Sequence, residues 1–125
     1  MRMRIAERLK QSQNDAASLT TFNEVDMSAI MEMRRKCKDE ILEKYNLRFG
    51  LMGAFAKAST LALQDFPAVN ASIENGDTIV YRDYVDISIA VANPKGLVTP
   101  VLRNCESLSL LEMEKGIAAL AKKVL

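Results

Sequence analysis

The side chains best suited to chemistry are few. Arg103 and Asn104 follow an apolar run, Leu97 to Leu102, that reads as a strand. An arginine there can grip a phosphate or a carboxylate, because its planar fork offers two parallel N–H donors. It can equally make a surface ion pair, which contributes little. Asp26 either serves a site or caps the helix after it. A short acidic side chain accepts from the free amides of a first helical turn, and capping accounts for the residue fully. Lys57 interrupts an apolar helix and can carry its amine out along its stem, with a substrate role as the lesser alternative. Cys37 and Cys105 have nothing adjacent that would favour a thiolate, and Cys37 lies on an apolar stripe. Both therefore read as structural. Their spacing is neither that of a metal site nor that of a disulfide framework, so they read as reduced thiols in a reducing compartment.

The histidine count is zero. Ser-His-Asp and Cys-His chemistry and histidine-held zinc are thereby excluded within these 125 residues, and no metal is expected. Lys and Arg number 17 against 16 Asp and Glu, so no broad positive field awaits a nucleic acid backbone. The basic cluster Arg2, Arg4, Arg8 and Lys10 sits at helical spacing beside Ile5 and Leu9 and reads as a solvated helix face. No apolar run approaches the ~20 residues that span a bilayer. The longest, Leu51 to Leu63, is broken by Lys57, Ser59 and Thr60. The charged N-terminus has no apolar stretch behind it, so no signal peptide is visible. Neither nucleic acid nor membrane is an expected partner.

The elements that must position these residues follow from periodicity. Residues 3–17 read as a helix with Ile5, Leu9, Ala16 and Ala17 on one stripe. Leu19 to Val25, rich in Thr and Phe, suits a short strand. Asp26 or Ser28 caps a second helix whose stripe is Ile30, Met33, Cys37 and Ile41, with Glu32, Arg35, Asp39 and Glu43 opposite. Asn46 is a left-handed stop. Residues 50–65 form a helix that is apolar on most faces and so expected to be buried, ending at Pro67. Ala68 to Ile73 and Thr78 to Tyr81 read as strands around Asn75-Gly76, a two-residue hairpin centre with positive φ at both positions. Val85 to Ala92 and Leu97 to Leu102 are two more strands about the turn Asn93-Pro94-Lys95-Gly96. Ser109-Leu110-Leu111-Glu112 is a capping box opening a last helix with Ile117, Leu120, Ala121 and Val124 on its stripe. The seven methionines read as core filling. The order predicts an α+β fold with helices packed on a largely antiparallel or mixed sheet. The last helix meets Leu125 with no stop signal, which suggests a sequence that continues.

Five segments carry a family resemblance. Arg4-Ile5-Ala6-Glu7-Arg8-Leu9-Lys10 resembles the opening helix of the acyltransferase domains of 2-oxo acid dehydrogenase complexes. Gly50 to Ala58 resembles their buried helix, and Tyr81 to Ala92 with Lys95 to Asn104 completes the match. Leu19-Thr20-Thr21-Phe22-Asn23-Glu24-Val25-Asp26-Met27 is more discriminating. Pyruvate and branched-chain members usually carry a Pro-His pair near its start. Ser18-Leu19-Thr20-Thr21 stands there, which is similar to the succinyl-transferring branch.

The resemblance implies a chloramphenicol-acetyltransferase-like fold, with residues 1–125 its N-terminal half, a partial catalytic domain. It implies succinyl transfer between dihydrolipoamide and coenzyme A within the 2-oxoglutarate dehydrogenase complex, with coenzyme A and lipoamide as substrates. The family's His-x-x-x-Asp-Gly base and its Ser or Thr oxyanion donor belong to the other half, so no catalytic residue is expected among these. Arg103 and Asn104 are expected near the route of the pantetheine arms, as candidate cofactor-binding residues. Implied partners are two further copies in a homotrimer, the 24-subunit core built from such trimers, the lipoyl domains and the other components of the complex. The implied location is the mitochondrial matrix for a eukaryotic source and the cytoplasm for a bacterial one. The alternative reading is a non-catalytic assembly fragment.

Overall fold

The computed structural model describes residues 2–93 and 96–124. The chain runs through helix α1 (Arg2–Asp15), α2 (Ser28–Tyr45) and α3 (Met52–Asp65), then a 3₁₀ turn (Pro67–Asn70). Strands β1 (Ser72–Glu74), β2 (Thr78–Val80), β3 (Ile87–Ser88), β4 (Val91–Asn93), β5 (Gly96–Val98) and β6 (Val101–Leu102) follow. A second 3₁₀ turn (Cys105–Ser107) leads into α4 (Leu110–Val124).

Local chemistry explains most boundaries. Asp26 Oδ1 accepts from Ser28 N–H at 2.9 Å, so Asp26 serves the first turn of α2 as expected, although Met27 occupies the cap position itself. Asn46, at φ 49°, is the left-handed stop of α2. Ile30, Met33, Cys37 and Ile41 are half-buried while Glu32, Arg35, Asp39 and Glu43 are exposed, as the spacing required. The capping box at α4 is reciprocal: Glu112 accepts from Ser109 N–H at 2.8 Å, and Ser109 Oγ accepts from Glu112 N–H at 3.3 Å.

The strands 87–93 and 96–102 form one hairpin in a single register. Ile87 faces Leu102, Ser88 faces Val101, Val91 faces Val98 and Asn93 faces Gly96, all antiparallel. Each predicted strand is split in two because Pro100 stands opposite Ile89. Ile89 N–H donates to Pro100 O at 3.3 Å, but proline returns no N–H. Of the expected turn Asn93–Gly96, Pro94 and Lys95 lie outside the described residues. The smaller hairpin pairs Ile73 with Ile79, and Asn75 (φ 55°) and Gly76 (φ 87°) are both left-handed as required. The register opposes Glu74 to Thr78, so three residues, not two, separate the paired ends. Every ladder among the described residues is antiparallel.

Two expected strands are corrected. Leu19 to Val25 forms no strand: its backbone pairs with nothing in the ladders, and Leu19 and Phe22 are 88% and 91% exposed. Thr and Phe suit a pleated surface only when a neighbouring strand supplies one. Ala68–Asn70 is 3₁₀ rather than extended, since Pro67 fixes φ in the helical range at the start of that turn.

The core is small. Ala56, Val85, Cys105 and Met113 form its buried centre, with Leu63, Ile87, Leu102, Leu108 and Ile117 packed around it. Helix α3 buries Gly53, Ala56 and Thr60 but leaves Met52, Phe55 and Leu61 about half exposed, so it is covered on one face and not on most. The methionines likewise depart from core filling: Met113 is buried, whereas Met3, Met31 and Met52 lie on the surface. Every residue from 2 to 26 is exposed.

Candidate functional site

Leu102 closes β6 opposite Ile87, so the next register step sets Arg103 opposite Asp86. The Arg103 guanidinium donates to Asp86 Oδ2, and Asn104 N–H donates to Asp86 Oδ1 at 2.9 Å. One carboxylate thus holds both residues. The Arg103 donor, followed by the Asn104 amide, keeps the Asp86 carboxyl below the usual carboxylate range. Asn104 adopts φ 52°, a left-handed conformation that Asn tolerates better than most residues, and this bends the strand into the 3₁₀ turn. Cys105 N–H then donates to Val85 O at 2.7 Å, and the Glu106 carboxylate accepts from Val85 N–H at 2.7 Å. The corner is clipped to the edge of β3 from both sides.

Cys105 is fully buried and its Sγ donates to Leu102 O at 3.2 Å. Burial pushes its thiol above the usual range, against a smaller opposing hydrogen bond from Ile87, so it stays protonated and unreactive. Lys57 Nζ donates to Leu108 O at 2.7 Å; its amine therefore satisfies a carbonyl beside the core, where the sequence had it reaching for solvent.

Sequence reasoning missed Glu114. It is 6% exposed, and its Oε1 accepts from Gly53 N–H at 2.7 Å in the first turn of α3. A carboxylate at a helix N-terminus meets free amides and the positive end of the helix dipole. The signal was an acid next to Met113 in the apolar run of α4, together with two glycines three apart, Gly50 and Gly53. A Cβ on Gly53 would stand 2.6 Å from Glu114 Cγ.

The structure brings Arg103 and Asn104 together at one corner. The Arg103 side chain remains 70% exposed outside its ion pair, available to a further anionic group. Asp86 and Glu106, the carboxylates there, are both engaged by donors. Beside the corner, Ile87, Ile89, Pro100, Leu102 and Ile117 line an apolar cleft. The cleft holds only about 20 Å³, room for about one water, so what the corner offers to an anionic ligand is the exposed Arg103 guanidinium. Among the described residues no cluster of three or more His, Cys, Asp or Glu is placed to hold a metal, and no helix is long and apolar enough to cross a membrane.

The family description "2-oxoacid dehydrogenases acyltransferase (catalytic domain)" matches residues 1–125. The chain belongs to this acyltransferase family. A relative of Saccharomyces cerevisiae, the mitochondrial dihydrolipoyllysine-residue succinyltransferase component of the 2-oxoglutarate dehydrogenase complex, is 69% identical over 98% of this chain and 26% of its own length. The human protein of the same name is 55% identical over 98% of this chain and 27% of its own. This acyltransferase-family chain therefore spans about a quarter of the length of those relatives. Among solved structures, the dihydrolipoamide acetyltransferase of Azotobacter vinelandii superposes with a TM-score of 0.90 at 31% identity, over 97% of this chain and 50% of that one. The cubic core of a pyruvate dehydrogenase multienzyme complex superposes equally well, at 30% identity and with the same coverage. The α+β acyltransferase fold expected from the sequence is borne out, as is the family.

Proposed function

We propose that these residues form part of a catalytic domain that moves a succinyl group between dihydrolipoamide and coenzyme A in a 2-oxoglutarate dehydrogenase complex. One contrast carries the reading. The chain is 69% identical to a succinyltransferase but 31% identical to an acetyltransferase whose backbone it shares. Backbone similarity alone fits either acyl group, so the acyl preference rests on the sequence similarity.

Attack of a thiol on a thioester needs a base to form the thiolate and a donor for the developing oxyanion. With no histidine among the 125 residues, a histidine base falls outside them, and the family resemblance puts the Ser or Thr donor there as well. The part played by these residues is binding and scaffolding. Asp86 fixes Arg103 and Asn104; in this reading the two residues lie near the route of the pantetheine arms, and the arginine offers charge to coenzyme A or to the succinyl carboxylate. The working enzyme in this reading is a homotrimer within a 24-subunit core, served by lipoyl domains and the other components of the complex. Its location is the mitochondrial matrix of a eukaryote or the cytoplasm of a bacterium. The open apolar face of α3 favours a second reading, a non-catalytic assembly piece.

The test is coenzyme A-dependent transfer by the full chain in its assembled complex, with succinyl- and acetyl-dihydrolipoamide compared. A strong succinyl preference is expected, with a raised KM in Arg103→Ala. Equal use of the acetyl substrate sinks the succinyl reading, and no transfer of either leaves the assembly reading standing.

A further inference from the structure

A groove separate from the Arg103 corner runs between the end of α2 and the outer face of α4. One wall is Leu42 and Tyr45, 46% and 54% exposed. The floor is Ala118 and Ala119 on α4. Lys115 and Lys122 flank the two alanines along α4, and Arg48 also lines the groove. No acidic residue lines it, although the whole chain carries 17 basic and 16 acidic side chains. Lys44 adds a fourth cation, 5.5 Å from the centre of the Tyr45 ring. Among the described residues, Arg48, Lys115 and Lys122 make no ion pair at contact distance; Lys115 feels Glu112 one turn back in α4.

We propose that this groove docks an acidic amphipathic helix of a partner protein. The shape argues for a helix: two alanines side by side let another backbone come within the roughly 8–10 Å of close helix packing. The spacing argues for its charge pattern. Lys115 and Lys122 are seven residues apart, two turns or about 10 Å along the axis. A docked helix would meet them with carboxylates at i and i+7 and lay apolar residues at i+3 and i+4 against Leu42, Tyr45 and the alanines. The apolar wall supplies burial, and the cations supply orientation and rate of encounter. This surface is independent of acyl transfer, whose kinetics are expected to be unchanged by its occupation.

The experiment uses the full chain in its assembled complex and a helix-stabilised synthetic peptide with Glu at two positions seven apart and Leu between. Fluorescence anisotropy is expected to show saturable, salt-sensitive binding. Replacing both Glu by Gln, or making Lys115→Glu with Lys122→Glu, is expected to weaken it about tenfold or more, as for a partly desolvated charge pair. A Lys-bearing version of the peptide is expected to recover affinity for the charge-reversed protein, which separates lost charge from lost fold. Equal affinity for the Glu and Gln peptides overturns the proposal. So does absence of binding to the assembled protein, since the groove would then be covered by its own chain or by a second copy.

Discussion

Glu114 Oε1 accepts a 2.7 Å hydrogen bond from Gly53 N–H across 61 residues of sequence, so α4 supplies the N-terminal cap of α3. Gly53→Ala is the direct probe. Ala is about 1 kcal/mol better than Gly in a helix interior. Here the added Cβ would meet Glu114 Cγ at 2.6 Å and Cδ at 2.9 Å, in a buried position. Overpacking of that kind costs about 1–3 kcal/mol, so a net loss of stability is expected. Urea denaturation of the assembled protein checks it; a more stable variant would show that Glu114 can swing away.

Asp86 should give the fold a pH signature. Its carboxyl titrates below the usual range when folded, because Arg103 and the Asn104 amide favour the anion. A depressed folded pKa contributes stability that is present above the unfolded value, about 3.9, and is lost as pH falls through the folded value. The stability gap between the native chain and Asp86→Asn should be widest near neutrality and close under acid. A gap that does not change with pH refutes the linkage.

The thiols should react in order. Cys105 is fully buried with its pKa raised, while Cys37 is half-buried on α2. A thiol-specific chromogenic reagent should modify Cys37 in the native protein and Cys105 only with unfolding. Mass mapping that finds Cys105 labelled first contradicts the buried corner.

Taken alone as a 125-residue polypeptide, the chain should neither turn over nor sediment as a stable monomer. Histidine is absent, and general-base help typically supplies ~10²–10⁴-fold in rate. Phe55 and Leu61 on α3 and Phe66 beyond it are half exposed or more, an apolar surface that invites another chain. Sedimentation and a thioester-transfer assay test both claims. A single 13.9 kDa species with a cooperative melt would show that these residues close their own core.

What could be read from the sequence was local. Asn46, the Ser109–Glu112 box and Asn75-Gly76 each act on backbone within a few residues, and each appears where its chemistry put it. What could not be read was long-range. Glu114 is an ordinary helical acid until α3 lies against it. Leu19 to Val25 has strand composition but no partner strand. Asp86 with Arg103 lies between these cases: once the turn fixes the register, extending it past Ile87 and Leu102 finds the pair. Composition says that α3 should be covered on most faces, not by which residues, and Met52, Phe55 and Leu61 mark the face that these 125 residues leave open, as expected of half a domain.

Pro100 divides the long hairpin into two short zippers on one tape. A break in the ladder of β4 and β5 need not pass into the other, because the missing amide of Pro100 already interrupts the pairing between them. The half made of β3 and β6 is bolted to the interior through Val85 and Cys105 and has no reason to open with it. A change in the β4–β5 zipper, whose strand β4 rests on α4, is therefore not handed along the ladder to the Arg103 corner.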